Sequence, residues 1–367
     1  MTEIAPRRQY YPALDGLRGL AILMVVIFHN FGFTHYFFFG WLGVDLFFVL
    51  SGFLITEILL KTVGKPGYFR NFYLRRILRI FPLYYLLLIV CLVILPAIPS
   101  LHDKMQYYTD HQWWFWLYAQ NWLYVTMPPE QNNLLLHLWS LAIEEQFYIV
   151  WPLTILLIKR PKFLLSIVLT LLVAIMVTRS LLWVTNSDGT SFFNLYIFTR
   201  IDGICLGCAL ALIRKMKPDF IRLNTGIIIL LFSALNFGFF FLNRLHSFSF
   251  PYYPFIGYTT FAILFMILVD EAVSNNSGWI SIIFTNPILK FLGKISYGFY
   301  LIHWPVYRFV YPVLYSWCQQ HCSQNITFAQ FFGAIIATCL GFLLSIVSYY
   351  YYERRFLRIK ERLKTTL

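Results

Sequence analysis

The stretch LDGLRGLAILMVVIFHNFG, residues 14–32, has the length and apolar character of a membrane-spanning helix. It also contains Asp15, Arg18 and His29, and ionisable side chains are costly in contact with lipid. His29 follows Arg18 by eleven residues, almost three full turns of an α-helix, and Asp15 precedes Arg18 by three. The spacing predicts that all three side chains lie on one helix face turned towards the protein interior. Arg18 and His29 are then roughly 16 Å apart along the helix axis.

Further apolar runs of about 20 residues, the length that spans a bilayer, follow along most of the chain. Of the 367 residues, 59% are hydrophobic and only 12% are charged, whereas a soluble domain carries about 25% charged residues. No long polar region is left for a separate soluble domain. The sequence therefore predicts an all-α, polytopic membrane bundle that forms a single domain over residues 1–367. The ten predicted spans are 13–33, 38–60, 77–97, 138–158, 163–184, 192–213, 224–242, 252–270, 295–315 and 327–351.

The distribution of positive charge predicts the orientation of the bundle. With the N-terminus in the cytoplasm, most of the 29 Lys and Arg residues fall in cytoplasmic segments, including a basic tail over residues 353–367. This bias and the even number of spans predict that both termini are cytoplasmic. The bias also accounts for the net charge of +13 without a nucleic-acid partner, since no basic stripe interleaves with an exposed aromatic platform.

Two predicted outer segments have unusual composition. The loop over residues 98–137 contains HQWWFWLYAQNWLYV (111–125), which is too short and too amphipathic to span the membrane. Because Trp and Tyr favour the membrane–water interface, a helix lying in the interface is one interpretation, and an aromatic platform for a sugar or lipid acceptor is the other. Cys318 and Cys322 lie in a polar loop, where they form either a disulfide or two free thiols.

Arg75, Arg76 and Arg79 form a basic cluster in the loop that precedes the third span, within YFRNFYLRRILRIFPLYY (68–85). Arg76 and Arg79 are about one helical turn apart. Guanidinium groups bind phosphate in bidentate fashion, so this cluster is a candidate phosphate site at the cytoplasmic face. A plain positive-inside anchor is the alternative interpretation.

More ionisable residues fall inside predicted spans, where such residues mark functional sites by default. Glu144 and Glu145 are adjacent, so they point to different faces and at most one of them faces the site of His29. We expect Arg200 and Asp202 to pair with each other, with Asp45 or with a glutamate. The other polar candidates inside spans are Ser51, Ser140, Tyr297 and His303.

A buried histidine with carboxylates nearby is the usual equipment for general acid–base chemistry near neutral pH. Proton-coupled transport uses similar residues, so the residue types alone do not separate an enzyme from a transporter. The sequence contains no nucleophile elbow, HExxH zinc motif or Walker loop, and no metal is expected.

Together these motifs resemble those of the acyltransferase-3 family of integral-membrane O-acyltransferases. The first-helix signature of that family is Arg or Lys, ten residues and then His, and RGLAILMVVIFH (18–29) is similar to it. The resemblance covers nearly the whole chain, with the motifs in the expected order and about ten spans. The other similar motifs are FFVLSGFLI (47–55), RRILRIFPLYY (75–85), WSLAIEEQFYIVWP (139–152), RIDGICLG (200–207) and GKISYGFYLIHWPV (293–306).

The resemblance implies a multi-pass enzyme of the bacterial inner (plasma) membrane. Such enzymes move an acyl group, most often acetyl, from a cytoplasmic acyl-CoA such as acetyl-CoA to a hydroxyl group. The acceptor is frequently an extracytoplasmic glycan, for example O-antigen or another surface polysaccharide. Some family members have an extra C-terminal hydrolase-like domain that completes the transfer. This sequence has none after its tenth predicted span, so we expect the membrane domain to complete the transfer or to rely on a partner protein.

By position, the resemblance also implies roles for individual residues. His29 is the implied catalytic residue, and Arg18 assists it or contacts the donor. Arg76 and Arg79, with Arg75 beside them, are expected to hold the phosphates of the acyl-CoA. Ser140 and Glu144 fall in the WSLxxE signature as implied supporting or acceptor-site groups, and Glu144 is also the carboxylate predicted to act with His29 and Arg18 in catalysis. Their location within or beside spans makes the following residues further candidates for supporting the site or contacting the acceptor: Asp15, Asp45, Ser51, Glu145, Arg200, Asp202, Tyr297 and His303.

The resulting hypothesis brings donor and acceptor together at His29, with the acceptor entering past the Trp-rich loop. His29 acts as general base on the acceptor hydroxyl, oriented by Glu144 in preference to Asp45. A second version has His29 accept the acyl group first, as a covalent intermediate. The main alternative is a proton-coupled transporter or exporter, and release of CoA by the purified protein separates the two classes.

Overall fold

The computed structural model describes residues 10–34, 37–129, 133–185, 197–217, 225–245, 253–274 and 278–362, and within these ranges the regular structure is entirely helical. Helices α1 to α3 are Pro12–Phe31, Leu42–Thr62 and Tyr68–Ile89. Helices α4 to α7 are His102–Asp110, Gln112–Trp116, Gln120–Thr126 and Trp139–Ile158. Helices α8 to α11 are Pro161–Thr185, Ile197–Arg200, Asp202–Met216 and Thr225–Leu245. Helices α12 to α16 are Tyr258–Ser274, Trp279–Phe284, Pro287–His321, Ile326–Ser348 and Arg354–Arg362.

The described helices confirm the prediction of a polytopic helical membrane protein. Seven helical segments in the described ranges are long and apolar enough to cross a bilayer: Pro12–Thr34, Phe39–Thr62, Tyr68–Ala97, Leu136–Ile158, Pro161–Leu182, Phe255–Ser274 and Ile326–Lys360. They coincide with seven of the predicted spans. The other three predicted spans, 192–213, 224–242 and 295–315, fall on α9–α10, α11 and α14, with residues 192–196 and 224 outside the described ranges.

Helix α3 begins earlier than the sequence predicted. Gly67 precedes it with φ 71°, a left-handed conformation that glycine adopts without steric cost, and the chain becomes helical at Tyr68. The basic cluster of Arg75, Arg76 and Arg79 therefore lies on this helix and not in a loop before it. Because a helix fixes the direction of each side chain, Arg76 and Arg79, one turn apart, share a face, whereas Arg75 points to another.

Helix α1 lies at the centre of the bundle, where it packs against α14 and α2. It approaches its neighbours closely because glycines occupy the contacts, as is common in membrane bundles. A Cβ atom added to Gly293 of α14 would lie 1.9 Å from the carbonyl oxygen of Asp15, and one added to Gly19 would lie 2.1 Å from that of Leu289. Further along, His29 of α1 contacts His303 of α14. Asp15, early in α1, lies against Gly293, early in α14, and His29, late in α1, contacts His303 further along α14. The two helices therefore run in the same direction.

Two buried ion pairs join the helices on the other side of α2. Arg200 lies 2.7 Å from Asp45 of α2, and Arg179 of α8 lies 2.9 Å from Asp202 of α10. Arg179 also donates to Thr259 of α12, whose hydroxyl donates to Asp202. Of the alternatives left open for Arg200, the structure has the pair with Asp45. These charges neutralise one another in the interior, where an unpaired charge is strongly destabilising.

The loop predicted to be extracytoplasmic contains three short helices, α4 to α6, packed on α3, and not the single helix that the sequence predicted. The hydroxyl of Tyr84 donates to the carbonyl of Phe115 at 2.7 Å, and that of Tyr85 donates to the carbonyl of Trp116 at 3.2 Å. Phe115 is fully buried, whereas Trp113 is 70% exposed. The loop is therefore anchored to the bundle by part of its aromatic side chains and presents the others outwards.

Candidate active site

A cavity of about 100 Å³, partly open to the outside, lies between α1, α2, α3, α7 and α14. Its polar lining consists of Arg18, Ser51, Arg76, Arg79, Ser140, Glu144, Tyr148, Ser296, Tyr297 and Tyr300. Its apolar lining consists of Val44, Phe47, Phe48, Leu54, Ile80 and Leu141. The structure thus brings together, from five helices, seven of the residues singled out in the sequence: Arg18, Ser51, Arg76, Arg79, Ser140, Glu144 and Tyr297.

Three guanidinium groups share this cavity. Arg18 is held by Asp15, one helical turn before it, at 2.9 Å, as the spacing predicted. Arg76 lies over the ring of Tyr148, 4.9 Å from its centroid. Beyond the span, Tyr10 donates to the second oxygen of Asp15 at 2.7 Å, and this hydrogen bond raises the pKa of Tyr10 to about 12. Arg75, predicted to act with Arg76 and Arg79, does not line the cavity.

Glu144 is the carboxylate of the cavity. It accepts a hydrogen bond from the Ser51 hydroxyl at 2.7 Å and a longer one from Tyr148 at 3.4 Å. The adjacent Glu145 is outside the lining, is largely buried and leaves one oxygen without a hydrogen-bond partner. As expected for neighbours on a helix, only one of the two faces the site. Glu144 was missed as a partner of Tyr148, although the two are one turn apart on α7.

Hydroxyl groups line the part of the cavity formed by α7 and α14. Tyr300 donates to the carbonyl oxygen of His137, and the hydroxyls of Tyr300 and Ser140 lie 2.6 Å apart. The hydroxyl of Tyr297 donates to the carbonyl oxygen of Ile80 on α3. These bonds connect α3, α7 and α14 around the cavity and orient its polar groups.

His29 is paired with another histidine and not with a carboxylate. Its Nδ1 lies 2.8 Å from Nε2 of His303, and the planes of the two rings are nearly parallel, 9° apart. The predicted partners are engaged elsewhere, since Glu144 is held by Ser51 and Tyr148, and Asp45 is held by Arg200. The expectation that a carboxylate orients His29 is therefore not met in this structure.

Tyr300 separates the histidine pair from the cavity. Its side chain lines the cavity, while its backbone carbonyl accepts a hydrogen bond from Nδ1 of His303 at 2.7 Å. His303 is fully buried, but the His29 ring is partly exposed and lies against Trp304, 4.8 Å between ring centroids. His29 does not line the cavity itself; it contacts His303, which is hydrogen-bonded to the backbone of the cavity-lining Tyr300.

The arrangement can hold an anionic ligand and can exchange a proton. Guanidinium groups suit phosphate, and a partly exposed imidazole suits acid–base or nucleophilic chemistry. In the described ranges there is no group of three or more His, Cys, Asp or Glu side chains suited to a metal ion. Tyr148, Tyr300 and Trp304 were not predicted from the sequence. Tyr148 lies one turn after Glu144 on α7, so helical spacing was a usable signal for it.

The fold and this site belong to a multi-pass membrane protein with a cavity that is lined by arginines and partly open to the outside. The family described as "Acyltransferase domain" matches residues 11–350. The chain therefore belongs to the acyltransferase-3 family, as its motifs indicated.

Among known proteins, the chain is similar to the peptidoglycan O-acetyltransferase OatA of Listeria monocytogenes, with 30% identity over 94% of this chain and 56% of OatA. It is also similar to YrhL of Bacillus subtilis, provisionally named for the same activity, with 32% identity over 94% of this chain and 55% of YrhL. The chain spans about half the length of these curated relatives. No solved structure matches it. The apolar helices and the bacterial relatives together make it a multi-pass bacterial membrane protein.

Proposed function

We propose that this chain transfers an acyl group, acetyl in the first instance, from an acyl-CoA to a hydroxyl group of a cell-surface glycan. The observation that carries the proposal is the cavity in which Arg18, Arg76 and Arg79 converge, with His29 linked to its wall through His303 and the backbone of Tyr300. A phosphate-rich donor suits the three guanidinium groups, and a hydroxyl acceptor needs a base. Membership of an acyltransferase family supports the same reaction type.

The donor end of the cavity is the basic one. The 3′-phosphate and pyrophosphate of CoA are multiply charged, and arginine forks bind such groups in bidentate fashion. The pantetheine arm is long and mostly uncharged, which suits the mixed lining of Phe47, Phe48, Ser51 and Tyr300 beyond the arginines. In this proposal acetyl-CoA is a donor substrate, bound with its phosphates towards the cytoplasm.

The acceptor is an extracytoplasmic glycan. OatA is named for the acetylation of peptidoglycan, so peptidoglycan is the first acceptor to test for this chain. Lipopolysaccharide O-antigen is the second, because its sugar hydroxyls offer the same nucleophile. Both acceptors would reach His29 from the side of the outer loop.

His29 provides the chemistry in either of two versions. As general base, it removes the proton of the acceptor hydroxyl while the oxygen attacks the thioester carbonyl; the C–S bond then breaks and the CoA thiolate receives the proton. As nucleophile, its ring nitrogen attacks the thioester carbonyl, the C–S bond breaks and the CoA thiolate leaves. The acceptor oxygen then attacks the acyl carbon, the C–N bond to His29 breaks, and the hydroxyl proton passes to the CoA thiolate. Both versions need an unprotonated ring nitrogen on His29.

The test uses the full chain, purified and reconstituted in liposomes with acetyl-CoA and a soluble glycan acceptor. Release of CoA thiol and gain of one acetyl mass on the acceptor are measured together. We expect both with the wild type and neither with His29→Ala, while folding of the variant is checked by its thermal unfolding midpoint. Acceptor or donor movement without CoA release would indicate a transporter, and full activity of His29→Ala would overturn the catalytic assignment.

A further inference from the structure

The hydrogen bonds around His303 define where its ring proton lies. Its Nδ1 is 2.9 Å from the carbonyl oxygen of Phe299 and 2.7 Å from that of Tyr300. Carbonyl oxygens only accept hydrogen bonds, so Nδ1 of His303 must carry a proton. In the neutral ring, Nε2 of His303 is then the nitrogen with the lone pair.

This lone pair in turn defines the tautomer of His29. Nε2 of His303 lies 2.8 Å from Nδ1 of His29, and a lone pair can only accept, so Nδ1 of His29 carries the proton. The other nitrogen of neutral His29, Nε2, is left with its lone pair. The two backbone carbonyls of α14 thus fix the tautomer of His303, and His303 in turn fixes the tautomer of His29, whose Nε2 keeps the lone pair.

We infer that His303 is a positioning residue that fixes His29 in the tautomer whose Nε2 is basic, an inference that rests on the proposed role of His29. His303 has no exposed surface, so it acts through His29 and does not meet the substrate. When Nε2 of His29 accepts a proton, the charged ring donates from Nδ1 to His303, and a hydrogen bond from an ionised donor is stronger than a neutral one. The same contact that selects the tautomer therefore stabilises the protonated ring.

The neighbouring groups leave this contact undisturbed. His137 lies edge-on to His303, 5.6 Å between ring centroids, and its Nε2 faces the carbonyl oxygen of Leu301 at 3.3 Å. Trp304 lies against the His29 ring, and its indole nitrogen donates to the carbonyl of Asn133. The partner of His29 Nδ1 is His303, since neither neighbour directs a hydrogen bond to that atom.

The direct test is the protonation state of each ring nitrogen, measured by ¹⁵N solid-state NMR on the full-length chain with ¹⁵N-labelled histidine in lipid bilayers. The signals of His29 among the eight histidines are identified by their loss in His29→Ala. We expect a protonated Nδ1 and an unprotonated Nε2 on His29 at neutral pH. A protonated Nε2 on neutral His29 would overturn the inference, whatever the activity of the protein.

The functional test compares two substitutions of His303. In His303→Gln the amide oxygen can accept the proton of His29 Nδ1, whereas His303→Phe keeps a buried ring but offers no acceptor. We expect kcat to fall at least about tenfold in His303→Phe, with an unchanged KM for acetyl-CoA, and to recover substantially in His303→Gln. A purely structural role would lower the unfolding midpoint of both variants and leave kcat of the folded fraction unchanged, which would contradict the inference.

The two proposals fail in different ways. If His29→Ala retains acyl transfer, the role of His29 in the reaction is wrong while the NMR result on its tautomer still stands by itself. If His29→Ala is inactive but His303→Phe keeps the wild-type kcat, His29 is catalytic and His303 does not position it.

Discussion

At the residue scale, the three arginines at the start of α3 differ in their surroundings although the sequence places them together. Arg76 and Arg79 line the cavity, whereas the side chain of Arg75, next to Arg76 in the sequence, does not. Successive residues on a helix are about 100° apart, so a neighbour in sequence faces a different direction. This contrast offers a matched control for the proposed binding of donor phosphates.

Replacing Arg76 or Arg79 by Ala should raise the KM for acetyl-CoA by about 10- to 100-fold, with little change in the KM for the glycan. The expected increase in KM follows from the loss of one charge-assisted hydrogen bond, which contributes about 1.5–3 kcal/mol, since about 1.4 kcal/mol corresponds to a factor of ten. The measurement is CoA release at varied donor and acceptor concentrations. Arg75→Ala serves as the control and should keep both constants near those of the wild type. An equal effect from Arg75→Ala, or a larger effect on the acceptor constant, would remove the phosphate assignment.

The site could be predicted only where contacts are local. Asp15 and Arg18 are one turn apart, and helical geometry alone brought them together. His29 and His303 are separated by 274 residues, and a contact of that kind leaves no periodic signal in a single sequence. Glu144 was chosen as the partner of His29 because both are ionisable groups within spans, but Ser51 and Tyr148 are its neighbours in the fold. Residue types therefore predicted which residues belong to the site better than they predicted which of these residues contact each other.

At the scale of elements, the position of His29 against His303 depends on how closely α1 and α14 approach. Gly293 lies where a Cβ would meet the carbonyl of Asp15 at 1.9 Å, a backbone atom that cannot move aside. Gly32, just after α1, has no atom within 4 Å of such a Cβ and has φ −58°, which any residue adopts. A substitution to Ala is therefore expected to be disruptive at Gly293 and tolerated at Gly32.

We expect Gly293→Ala to destabilise the protein by about 1–3 kcal/mol, because overpacking of a close contact forces the helices apart. The folded fraction should also lose acyl transfer, since separation of α1 from α14 lengthens the contact between His29 and His303. Thermal unfolding in detergent and CoA release measure the two effects. Gly32→Ala should change neither, and a stable, active Gly293→Ala protein would show that the close packing is dispensable.

Elements with strong local signals were predicted well, and those shaped by tertiary contacts were not. Seven of the predicted spans coincide with long apolar helices because hydropathy alone encodes them. Helix α14 extends over 35 residues, beyond the predicted 295–315. Asn286 caps its start by accepting from the backbone of Ile288, and Tyr300, His303 and Tyr307 are buried where α14 packs in the bundle. The outer loop folds as short helices because Tyr84 and Tyr85 bind its carbonyls, a long-range effect that its composition did not indicate.

At the scale of the whole molecule, two groups of interior charged residues differ in how far their charges are neutralised. Arg179, Arg200, Asp45 and Asp202 are joined in buried ion pairs, so their charges are neutralised within the protein. In the cavity Arg18 is paired with Asp15, while Arg76 and Arg79 face the one carboxylate of Glu144, which leaves the cavity positive and suited to an anionic ligand. The difference separates a structural network from a binding site, although both consist of residue types that the sequence placed inside the membrane.

The proposed direction of transfer requires that the basic end of the cavity faces the cytoplasm, and Cys322 allows this to be tested. Helix α14 runs parallel to α1, so its C-terminal end, where Cys322 is exposed, lies on the side opposite to the chain start and the arginine cluster. A membrane-impermeant maleimide should therefore label Cys322 in right-side-out vesicles, and Cys322→Ser should abolish the labelling. The other five thiols should stay unmodified, because Cys91, Cys205, Cys208 and Cys318 are buried and Cys339 lies within a membrane-spanning helix. Labelling of Cys322 only after the vesicles are opened would reverse the orientation and place the arginines on the outer face, where no acyl-CoA is available.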